Sequence, residues 1–156
     1  MNQKLAFLWN THTYINEYIR LADAKALGLL GVFGVLIGLI LDRATGELSD
    51  VEKVLATGTV IASGAAMAAA GFAVFPRTRG RPTGTIYWKA IRSMSESQFV
   101  ESTREATEEE LVDRLSKHLY EIAGIANEKY NALQFAFGVG TPALVIGFFL
   151  FALAVI

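Results

Sequence analysis

The chain has 156 residues, 53% of them hydrophobic, and its formal charge at neutral pH is −1. Soluble domains of this size are less apolar and spread their apolar residues more evenly, so an ordinary soluble globule is disfavoured. The absence of cysteine excludes a disulfide framework, a thiolate metal site and a thiol nucleophile.

In chain order, Thr11 or Thr13 can serve as the N-cap of a first helix that runs to Leu41, roughly 30 residues or about 45 Å. Its polar part carries Asn16, Glu17, Arg20, Asp23 and Lys25 and continues without a breaker into the uncharged residues 26–41. Ile15, Ile19 and Ala22, flanked by Tyr14, Tyr18 and Leu21, recur at three and four and form a packing stripe. Residues 26–41 fall short of the ~20 that span a bilayer, but Lys25 and Arg43 at their ends can snorkel to the headgroups. The polar stretch that precedes them is too long and too acidic for a cleavable signal peptide.

A second uncharged block, 54–75, is long enough to span, and so is a third, 132–156, with the crossing itself placed at 134–156. Arg77, Arg79 and Arg81 follow the second span, and Arg20 and Lys25 precede the first, whereas the loop 42–53 has only Arg43 and Lys53. By the positive-inside rule the amino terminus and the segment 76–131 are cytoplasmic. Prolines and glycines make 76–84 a loop, and 85–91 fits a strand by alternation or a helix by the spacing of Tyr87, Ile91 and Met94. Ser95 is an N-cap for a short helix over 96–105. Thr107 and Glu110 have capping-box spacing before the pattern Leu111, Leu115, Leu119, Ile122, which predicts one long helix from about 108 to 156, with a bend near Pro142. The expected fold is an all-α membrane protein with three transmembrane helices, the first and third extending into a small helical cytoplasmic domain made of 1–25 and 76–131. A single membrane-anchored unit is expected.

Gly31, Gly34 and Gly38 in the first span and Gly64 in the second are spaced for close helix packing, either within the chain or between copies in a homo-oligomer. No ionisable residue lies well inside a span, which argues against a proton relay or ion-coupled transporter. Arg79 and Arg81 fit contact with anionic lipid heads. Arg20 and Arg77 belong to segments that also supply Asn16, Tyr18, Tyr87, Trp88 and Tyr130. A guanidinium for a phosphate, an aromatic face for a base and an amide for a base edge are what nucleotide binding needs, and Lys25 adds a further cation near the membrane. Asp23, three residues from Arg20, is expected to form an intrahelical ion pair with it. Glu17 and Asp23 sit far apart around the helix, His12 and His118 read as surface or interfacial histidines, and no P-loop, GxGxxG or HExxH occurs, so neither catalysis nor a bound metal or cofactor is expected.

Asn16-Glu17-Tyr18-Ile19-Arg20-Leu21-Ala22-Asp23-Ala24-Lys25-Ala26 before the first span, Phe75-Pro76-Arg77 closing the second, Ile86-Tyr87-Trp88 after a glycine-bearing loop and Lys129-Tyr130 leading into the third resemble the Pycsar transmembrane effector family. The resemblance covers nearly the whole chain in order. It implies a bacterial anti-phage effector of the inner membrane, activated by cyclic CMP or cyclic UMP from a pyrimidine cyclase encoded beside it, with no direct binding to the cyclase expected. The ligand-binding set expected on this reading is Asn16, Tyr18, Arg20, Lys25, Arg77, Tyr87, Trp88 and Tyr130. The chief alternative is a constitutive oligomeric channel or scaffold subunit without nucleotide gating, and a membrane-embedded enzyme acting on lipid or nucleotide is a further one.

Overall fold

A computed structural model describes residues 3–75, 86 and 88–152. Five helices follow one another: α1 (Gln3–Arg43), α2 (Asp50–Val74), α3 (Trp88–Ser93), α4 (Glu96–Arg104) and α5 (Glu108–Ala152). No strand occurs among the described residues, and α1, α2 and α5 are each long and apolar enough to cross a membrane. The chain is therefore an all-α membrane protein, and 88–93 is helical where the sequence left strand and helix open.

Helix α1 begins at Gln3, well ahead of the expected caps. Thr11 and Thr13 do not cap it: their hydroxyls donate back to the carbonyls of Phe7, at 2.9 Å, and Trp9, at 3.1 Å, one turn earlier. A threonine oxygen that finds an i−4 carbonyl is content in a helix interior, so the same residue type that can start a helix is carried within one.

The other starts are capped. Ser49 and Glu52 form a capping box at α2, Ser95 and Gln98 one at α4. Thr107 accepts from Glu110 N at 3.3 Å and its own amide donates to the Glu110 carboxylate at 2.9 Å, which opens α5 as the spacing predicts. Hydrogen bonds from Ser49 hold the Glu52 carboxyl below the usual carboxylate range. Helix α5 continues through Pro142 to Ala152.

The chain divides into two compact units, residues 1–20 with 76–127 and residues 21–75 with 128–156. In the first, Leu115, Leu119 and Ile122 of α5 pack with Leu5, Leu8, Ile15 and Ile19 of α1 and with Ile86. The stripe read from Ile15 and Ile19 is thus the face that is covered. In the second, Ala22, Ala26, Leu29 and Phe33 of α1 meet Ala66, Ala70 and Ala73 of α2 and Leu133 and Ala136 of α5. Alanine on all three helices lets the backbones approach, which in lipid replaces the hydrophobic drive to associate.

Candidate functional site

Within the first unit, the expected ligand residues on α1 are held by neighbours one turn away. Asn16 Nδ2 donates to the His12 carbonyl at 3.0 Å and lies 3.1 Å from His12 Nε2. The Tyr14 hydroxyl donates to that of Tyr18 at 3.1 Å, with ring centroids 4.6 Å apart. Arg20 Nη1 pairs with Glu17 at 3.2 Å, both side chains well exposed. Such an exposed pair contributes little and is readily exchanged for another anion.

The histidines are not independent. His12 faces His118 across the α1–α5 packing, ring centroids 5.4 Å apart, and Trp9 stacks on His12 at 5.3 Å. Burial, and then the positive charge of His12, pushes the His118 pKa below its ordinary value near 6.5, with Glu121 opposing. Near the start of both helices an open groove of about 350 Å³ is lined by Gln3, Lys4, Phe7, Leu8, Val112 and Ser116.

In the second unit Lys25 Nζ lies 6.0 Å from the centroid of the Tyr130 ring. Beside it in sequence, Lys129 is only 4% exposed. Its ammonium donates to the carbonyl of Ala73 at 2.6 Å and pairs with the Asp23 carboxylate. Ala73 belongs to the last turn of α2, where carbonyls lack intrahelical partners and the helix dipole is negative, so a cation is favoured there. One lysine of α5 thereby ties the end of α2 to α1.

This corrects the ion pair expected between Arg20 and Asp23. Arg20 is three residues from both Glu17 and Asp23, and it pairs with Glu17 while Asp23 pairs with Lys129. From the sequence Lys129 stands out only as part of the Lys129-Tyr130 pair, with no partner indicated. Its signal was a lysine three residues ahead of an uncharged block of 25, but its partners are 56 and 106 residues away.

The glycines of the first two spans make no close contact within the chain. A side chain at Gly31, Gly34, Gly38 or Gly64 would meet nothing within 4 Å, and all four lie on exposed helix faces. Close approach within the chain occurs instead at Gly140, where a Cβ would sit 2.0 Å from Phe33 Cζ, and at Gly147, where it would sit 2.6 Å from Leu36 Cδ1. Arg77 and Tyr87, like Arg79 and Arg81, lie outside the described residues, and Trp88 opens α3. Of the expected ligand set, then, Asn16, Tyr18 and Arg20 share one helix of the first unit, and Lys25 and Tyr130 come together in the second. Among the described residues no group of three or more histidine, aspartate or glutamate side chains could hold a metal ion.

A family profile described as the Pycsar effector protein domain matches residues 7–156. The chain is also 32% identical over 126 residues, 80% of each chain, to the Pycsar effector protein SaPycTM of Staphylococcus aureus. No solved structure matches.

Proposed function

Because the chain belongs to the Pycsar effector family and so to anti-phage defence, we propose that it senses a cyclic pyrimidine nucleotide, cyclic CMP or cyclic UMP, outside the bilayer and impairs the inner membrane by rearranging its spans. The observation that carries this reading is the continuity of α1 and α5. Helix α1 has 41 residues and α5 has 45, about 61 and 68 Å at 1.5 Å per residue, twice the ~30 Å hydrocarbon core. Each helix therefore contributes one part to the membrane and one part to the sensor. A ligand that favours one arrangement of the outer parts biases the arrangement of the inner parts, by no more than its differential affinity for the two.

The proposed ligand residues are Asn16, Tyr18, Arg20, Arg77, Tyr87 and Trp88 of the first unit, and Lys25 and Tyr130 of the second. Arg20 takes the phosphate, since its exposed pairing with Glu17 is weak and a guanidinium binds phosphate oxygens in bidentate fashion. Tyr18, Tyr87 or Trp88 stacks on the pyrimidine. The amino terminus and residues 76–131 face the cytoplasm, where a cyclase would release the nucleotide; the protein acts without turnover, as a homo-oligomer, and needs no direct contact with the cyclase.

Titration calorimetry on the detergent-solubilised protein tests this assignment. Cyclic CMP or cyclic UMP binds the unsubstituted chain, and Arg20→Ala abolishes binding while the variant still inserts into membranes. An unchanged isotherm for Arg20→Ala would remove Arg20 from the site.

A further inference from the structure

The face of α2 turned into the bundle carries Thr59, Ser63, Ala66, Ala70 and Ala73, each no more than 1% exposed. Thr59 satisfies its hydroxyl by donating to the Leu55 carbonyl at 2.8 Å, the usual resort of a hydroxyl in a membrane helix. Ser63, one turn further, does not: its Oγ is buried without a hydrogen-bond partner among the described residues. Ser63 is the tenth of the 22 residues of 54–75, close to the bilayer centre, where water is absent while the bundle is closed. The opposite side of the same helix is exposed and apolar through Val54, Ile61 and Phe72, as lipid contact requires.

Phe33 of α1 is 1% exposed and seats its ring against Gly140 of α5, which leaves no room for a side chain there. Among the described residues, Phe33, Thr59 and Ser63 are the largest fully buried side chains. An aromatic ring packed on bare backbone makes a dry constriction, which blocks water and ions by dewetting. The hydroxyl-bearing face of α2 is the part of this core that water would stabilise, because water reaching Ser63 would give its hydroxyl a partner.

We propose that Thr59 and Ser63 line an aqueous path through the activated protein, and that Phe33 on Gly140 is the barrier that keeps it closed. The inference rests on the reading above, a ligand-triggered membrane lesion, and assigns the wall of its path to one face of α2.

The chain has no cysteine, so a single introduced thiol reports on its own position. Ser63→Cys, Thr59→Cys and the lipid-facing Ile61→Cys are each placed in phosphatidylethanolamine–phosphatidylglycerol vesicles. A charged, water-soluble thiol reagent is added with and without cyclic CMP or cyclic UMP, and dye release is followed in parallel with the unsubstituted protein. The expected result is dye release on adding nucleotide, with the thiols at 59 and 63 modified only then and the thiol at 61 never. Dye release with both 59 and 63 still protected overturns the path and leaves the triggered lesion standing. No dye release from the unsubstituted protein with either nucleotide overturns the lesion, and the path with it.

Discussion

Lys129 and Asp23 form a pair of unequal burial: 5% of the lysine side chain is exposed against 36% of the aspartate side chain. The two ends respond differently to loss of the partner. Asp23→Ala strands an ammonium that keeps only the Ala73 carbonyl, whereas Lys129→Met leaves a carboxylate that can reach water and fills the lysine's volume with an apolar chain. Removing one partner of a fully buried pair costs about 3–5 kcal/mol. Asp23→Ala is expected toward the lower end of that range, Lys129→Met below it, and the double variant no worse than Asp23→Ala alone, all read by unfolding in detergent micelles. His118 gives a pH signature. Its folded pKa lies below the ordinary value near 6.5, so the stability that its neutral form supports is full above that value and falls as pH drops through the folded pKa. The groups facing it are His12 on α1 and Glu121 on its own helix. A ring-proton titration should place His118 below a free histidine, and His12→Gln should move it upward by removing the adjacent charge. A value at or above that of free histidine would contradict the buried α1–α5 face.

At the scale of elements, what was legible in the sequence is what neighbouring residues decide. The N-cap at Ser95, the capping box at Thr107 and the apolar stripe of Ile15 and Ile19 each stand where the spacing put them, and three helices are long and apolar enough to cross a membrane. Thr11 and Thr13 misled because one hydroxyl suits either a cap or an i−4 carbonyl, and the choice depends on residues 3–10 having covered α5. The partner of Asp23 and the seat of Phe33 come from α5, more than a hundred residues away, and no local spacing reveals them. The glycines test this distinction. Gly140→Ala must displace a buried ring and is expected to cost about 1–3 kcal/mol of bundle stability. Gly31→Ala meets open space and should be near neutral in the isolated chain, or stabilising through helix propensity. Equal losses at the two positions would show that Gly31 is already packed against another copy.

For the whole molecule, α1 and α5 each contribute residues to both units, and the proposed gating relies on that continuity. Moving a closed population from 99:1 to 1:99 takes about 5.5 kcal/mol of differential affinity, within reach of a charge-assisted phosphate contact and one stacked base. The candidate site was only half legible: at four residues apart Asn16 and Arg20 share a face of α1 and Tyr18, two residues from each, does not, while Arg77 and Tyr87 lie outside the described residues. The measurement that bears most directly on the account is dye release from vesicles holding the protein, with cyclic CMP and cyclic UMP added separately. The account predicts quiet vesicles until one of the two is added, prompt release afterwards, and none with Arg20→Ala. Release without nucleotide, at a rate that neither cyclic CMP nor cyclic UMP changes, would contradict it and favour a constitutive channel.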